Sequence, residues 1–101
     1  MNYIVRDEAA QDLESIWEYL ADSSGEGAAN KVIDRILAEC GKVAQMPGIG
    51  HFRRDLVDQR HRVWNVWSYL IIYRCDLKPI EVLAVVHGAR RLGALLRKRT
   101  K

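Results

Sequence analysis

One stretch, Tyr69 to Arg91, YLIIYRCDLKPIEVLAVVHGARR, constrains the fold of this 101-residue chain more than any other. Tyr69 to Cys75 and Ile80 to His87 are short runs of Ile, Val, Leu and Tyr, the residues that suit a pleated, buried surface. Asp76, Leu77, Lys78 and Pro79 break them with turn composition, so the pair reads as a β-hairpin. Both strands are apolar on both faces. Strict alternation sends Ile80, Val82, Ala84 and Val86 one way and Leu83 and Val85 the other, where only Glu81 and His87 are polar. A hairpin of that kind belongs at the centre of a sheet with each face covered.

The residues around it supply one cover. Met1 to Val5 is a short apolar run fit for an edge or second strand. From Arg6 to Asp22 the period becomes helical: Ala10, Leu13, Ile16, Trp17 and Leu20 form one stripe, and Asp7, Glu8 and Asp12 suit the positive end of the helix dipole. Ser23, Ser24 and Gly25 interrupt it, with a serine expected to cap a second helix. Ala29, Val32, Ile33, Ile36, Leu37, Cys40 and Val43 carry that helix from Glu26 to Gln45, and Pro47 stops it. His51 to Gln59 reads as a polar loop with one helical turn near Asp55 to Gln59, and Arg60 to Val66 as a third strand turning through Trp67 and Ser68.

The order is strand, helix, helix, then three antiparallel strands: a two-layer α+β domain filling residues 1–101, with 91–101 as a flexible basic tail. A helical hairpin covers only one sheet face. The other, carrying Leu83 and Val85 or their opposite-facing neighbours, is expected to stay an exposed apolar patch of the kind that marks a partner site. The alternative is that Leu92 to Leu96 folds back over it.

Charge is divided unevenly. Residues 1–50 hold nine acids and four bases, residues 51–101 four acids and twelve bases, so the second half is the basic half of a chain with net charge +3. That pattern suits an acidic partner or nucleic acid. No window approaches the roughly 20 apolar residues a bilayer requires, and two cysteines, Cys40 and Cys75, are too few for a disulfide scaffold. A soluble cytoplasmic protein with buried thiols is the expectation. No His or Cys cluster has metal-ligand spacing and no Gly-rich loop follows a strand, so neither a metal nor a cofactor is expected.

Asp12-Leu13 followed by Ile16 and Tyr19-Leu20, a second helix ending at Pro47 with Gly50 beyond, YLIIYR from Tyr69 to Arg74, and HGARRLGALL from His87 together resemble the RelE/ParE superfamily of bacterial toxins. The resemblance covers nearly the whole chain, and the HGAR corner with its leucine-rich tail looks more like the ParE branch. It implies a toxin that poisons DNA gyrase by binding and is neutralised by a ParD-like antitoxin, which carries the DNA-binding part. The RelE branch implies instead a ribosome-dependent messenger RNA endonuclease.

These implications place residues. An acidic, amphipathic antitoxin segment would meet Arg53, Arg62 and Arg74 while its apolar side chains met Trp67, Leu83 and Val85. Arg90, Arg91, Leu92, Leu95 and Leu96 are the candidates for target engagement. For the nuclease alternative, metal-free cleavage needs a proton acceptor and cations at the phosphorane, which His87, Arg74 and Arg90 would supply. No Tyr, Phe or Trp follows Tyr73, where RelE-like nucleases commonly place an aromatic. His87 also reads simply as the end of a strand, hydrogen-bonded at its turn.

Overall fold

A computed structural model describes residues 3–53, 59–88 and 92–99, without the side chains of residues 92–94 and 96. Strand β1 (Tyr3–Val5) leads into helix α1 (Asp7–Ser24) and helix α2 (Glu26–Gln45). A 3-10 turn (Pro47–Ile49) precedes β2 (His61–Val66), β3 (Tyr69–Arg74), β4 (Ile80–His87) and a C-terminal helix α3 (Leu92–Arg99). The sheet order is β1-β4-β3-β2, with β1 parallel to β4 and the other pairs antiparallel. This is the expected α+β arrangement, with the hairpin in the middle and β1 on an edge. The expected helical turn near Asp55 to Gln59 falls largely outside the described residues.

Gly25 alone makes the bend between α1 and α2. Its φ of 92° lies where L side chains are strained, its N–H donates to the Ala21 carbonyl at 3.0 Å, and its own carbonyl accepts from Ala29 N at 3.1 Å. Neither serine caps α2, contrary to expectation, because the Ser23 hydroxyl turns back to the Tyr19 carbonyl at 2.9 Å. Glycine ends one helix and starts the next in a single residue, leaving no room for a separate cap.

The helical pair lies on one face of the sheet. Ala9, Ile36, Cys40 and Val43 pack with Val66, Ile71, Tyr73, Ile80, Val82 and Val85. That membership corrects the simple alternation along β4. Ile72 pairs with Ala84 but Tyr73 with Val82, so Leu83 is an extra residue and the register shifts there. Beyond the bulge the faces exchange: Val85 turns to the helices, while Ala84 and Val86 join Leu83 on the outer face with Val63, Leu70 and Ile72.

The outer face is not the bare patch expected. Its six clustered residues are at most 5% exposed, and Leu95 of α3 packs against them. The alternative reading, in which the Leu92 to Leu96 segment folds back, is the one the structure follows. Residues 92–99, read as part of a flexible tail, form a helix whose Arg99 bonds the body of the domain. Among the described residues, no helix is long and apolar enough to cross a membrane.

Candidate functional site

The turn end of the sheet gathers most of the exposed features. Trp67 and Ser68 join β2 to β3, and Trp67 has φ 55°, the one described non-glycine residue in that region. Bulky side chains there cost roughly 1 to 2 kcal/mol of backbone strain. Its ring is nevertheless 60% exposed, with the Arg35 guanidinium 5.8 Å from its centroid. Gly88, just past β4, donates its N–H to the Ser68 carbonyl at 2.9 Å, and Tyr69 meets His87 edge-on at 5.9 Å across the strand pair. His87 therefore has the strand-end position foreseen for it, but its backbone does not close the turn.

Two clefts flank this turn. One, of about 410 Å³, opens on the outer face: Val63 and Leu70 meet His51, Arg53, Asn65 and Trp67 there. His51 is set in place by reciprocal backbone bonds with Val63, each 2.8 Å. The other, of about 460 Å³, lies between α1 and the edge of β4 that β1 leaves uncovered, with Ile16, Tyr19, Val85 and His87 in its lining. Tyr19 is 70% exposed.

The uncovered edge is itself partly closed. Asp12 of α1 accepts the Val85 N–H at 3.0 Å, and Arg99 of α3 forks onto Asp12 at 2.7 and 3.0 Å while donating to the Leu83 carbonyl at 3.1 Å. Two side chains thus occupy strand groups that would otherwise face an open edge. The hydrogen bonds to Asp12 raise the Arg99 pKa above its already high ordinary value.

The predicted arginines divide by what they touch. Arg62 donates to the Gly48 and Gly50 carbonyls at 3.2 and 2.8 Å and lies 4.0 Å over the Phe52 ring, so it fastens the loop after α2. Arg74 forks onto Asp76 through two 2.7 Å bonds, and those bonds hold the Asp76 carboxyl below the usual carboxylate range. Arg53 is exposed and lines the outer cleft. Leu83 and Val85 are 1% and 2% exposed, on opposite faces of the sheet. Arg90 and Arg91 lie outside the described residues, as do the side chains of Leu92 and Leu96, while Leu95 is turned inward.

The nuclease set is not assembled from its described members. His87 pairs with Tyr69 and Arg74 with Glu81, at opposite ends of β3, so the two are on the order of 17 Å apart. Trp64, the other tryptophan near the turn, is committed to packing: its Nε1–H donates to Glu39 at 2.8 Å and its ring stacks on His51. Sequence reasoning missed Asp12, Arg99 and Phe52. An acid on the apolar side of a helix was the available signal for Asp12, whereas the partner 87 positions away had none.

Comparison with known proteins agrees with this architecture. The family model described as the ParE toxin of the type II toxin–antitoxin system, parDE, matches residues 3–92. Toxin ParE3 of Caulobacter vibrioides is 25% identical over 89 residues, covering 88% of this chain and 88% of that protein. A solved structure described as the chromosomal ParDE TA system from P. aeruginosa superposes with a TM-score of 0.71 at 21% identity, over 86% of this chain and 95% of that one. At that identity the superposition speaks for the fold.

Proposed function

The chain belongs to the family of ParE toxins of type II toxin–antitoxin systems, and from that premise we propose that it poisons DNA gyrase by binding and is neutralised by a cognate ParD-type antitoxin. A cytoplasmic site of action goes with that reading. The observation that carries it is the family match over residues 3–92, which takes in the strands, both long helices and the turn end of the sheet. The separation of His87 from Arg74 supports binding over catalysis, because phosphoryl chemistry needs its acid, base and cations within reach of one phosphate.

Within this reading the antitoxin meets Arg53 and Trp67 directly. Arg62, Arg74, Leu83 and Val85 contribute from behind that surface, through the loop, turn and strand positions they hold. The gyrase-binding surface is the C-terminal helix with the two arginines before it: Arg90, Arg91, Leu92, Leu95 and Leu96. Leu95 acts there through packing, since it faces the sheet. The exposed Arg97 and Lys98 extend the same basic surface.

The test is a gyrase supercoiling assay with the purified chain, with and without its antitoxin. Inhibition with accumulating cleaved DNA, relieved by the antitoxin, is the expected result. Unaffected gyrase from the native host, together with cut messenger RNA in a translation extract, would transfer the reading to the endonuclease alternative.

A further inference from the structure

The outer cleft beside Trp67 combines three properties that seldom coincide by packing alone. It has an apolar floor in Val63 and Leu70 and cationic or protonatable groups in Arg53 and His51, and its described lining contains no carboxylate. One wall is a tryptophan that stays 60% exposed although its own backbone is held at φ 55°. The first of two hairpin-turn residues with positive φ is ordinarily glycine, asparagine or aspartate, which enter that region at little cost. A bulky aromatic there sacrifices stability of the free chain, and exposure returns none of it as buried area.

We propose that this cleft is a docking groove for an acidic peptide segment, with Trp67 as its anchor and Arg53 as the partner for a carboxylate. Resting on the function proposed above, the occupant is a segment of the ParD-type antitoxin. Charge complementarity selects an acidic segment, and the apolar floor selects one with an aliphatic or aromatic side chain beside its acid. A nucleic-acid strand fits less well: its affinity comes from many phosphate contacts, whereas Arg53 is the one guanidinium in the cleft's described lining. Trp and Arg are also the residues that most often dominate binding at such anchors.

The backbone strain gives the proposal a signature that ordinary surface packing lacks. Trp67→Gly removes the anchor and relieves the turn together, so antitoxin affinity should fall at least about thirtyfold. Over the same change the melting temperature of the free toxin should hold or rise by about 4 °C. Affinity is read by titration calorimetry with purified antitoxin, and stability by thermal unfolding of the toxin alone. Trp67→Gly binding within threefold of the parent would overturn the proposal. Should that variant melt lower, Arg53→Glu decides: weakened binding at unchanged melting temperature supports the groove, and unchanged binding overturns it. A single-stranded RNA oligonucleotide that binds the parent chain and not Arg53→Glu, while antitoxin binds both alike, would give the cleft to nucleic acid and overturn the assignment. A parent chain that fails to bind the antitoxin at all would instead overturn the function proposed above, a result separable from any difference between variants.

Discussion

Arg99, in the last residue of the C-terminal helix, closes a two-bond fork on Asp12 of the first helix, and both side chains are about 15% exposed. The same two residues hold the Leu83 carbonyl and the Val85 N–H, on either side of Ala84. One ion pair therefore does two jobs: it fixes α3 to the body and closes part of the strand edge left by a short β1.

Removing either partner leaves the other half-buried charge without its best counterion. Arg99→Ala and Asp12→Ala should each cost about 2 kcal/mol, less than a fully buried pair because solvent reaches both groups. The double variant should cost little more than either single one, since the fork is already lost. Urea unfolding of the four chains measures this. Additive losses would mean that the two residues act separately.

A second prediction concerns the loop after α2. The Tyr73 hydroxyl donates to the Pro47 carbonyl at 2.6 Å and accepts the Gly50 N–H at 3.1 Å, and a Cβ at Gly50 would overlap that hydroxyl. Gly50→Ala should therefore destabilise by about 1 to 3 kcal/mol through overpacking. Tyr73→Phe should cost about 1 to 2 kcal/mol through the lost hydrogen bonds. Combined, they should cost less than their sum, because deleting the hydroxyl makes room for the methyl. Denaturation midpoints of the three variants check the sign of that coupling.

The two thiols should part company under alkylation. Cys40 is 1% exposed on α2, and burial, with the neighbouring Glu39 charge, pushes its thiol up to about 12. Cys75 lies at the end of β3 and is partly exposed, with its thiol donating to the Arg60 carbonyl at 3.2 Å. Iodoacetamide at pH 8 should label Cys75 first and leave Cys40 until the chain unfolds. The sign of the pH dependence follows. The folded chain keeps the Cys40 proton above the ordinary value of 9.0, so this contribution to stability is complete below pH 9 and declines as pH rises towards 12. Cys40→Ala should flatten that alkaline decline, read as urea midpoints from pH 8 to 11.

The helices, the hairpin and the strand order around them were legible because each rests on local periodicity: the stripe from Ala10 to Leu20, the one from Ala29 to Val43, and the β-branched runs of β3 and β4. What escaped was set by register or by distance along the chain. The bulge at Leu83 reverses the faces of Val85 and Val86, and the local pattern carries no mark of it, since every residue from Val82 to Val86 is apolar. Coverage of the outer face by α3 depends on an arginine finding an aspartate near the other end of the chain. The arginines counted as partner-facing illustrate a further limit, because only the structure reveals that Arg62 is spent on two loop carbonyls and Arg74 on Asp76.

The C-terminal helix separates its structural and functional faces, which fixes how its role must be tested. Deleting residues 92–101 would remove Arg99 from Asp12 and Leu95 from the outer-face cluster, so lost activity would report damage to the domain as readily as a lost contact. Arg97 and Lys98 are exposed on the same helix, with Arg99 turned inward beside them. The double charge reversal Arg97→Glu, Lys98→Glu should therefore shift the unfolding midpoint by less than about 0.5 kcal/mol, as for surface substitutions generally. It should leave antitoxin affinity within threefold while gyrase inhibition falls about tenfold or more. Supercoiling assays and antitoxin titrations on the same preparation separate the outcomes. Full inhibition by the reversed chain would remove the helix surface from target engagement, and equal loss of both activities would place the two partners on one shared surface.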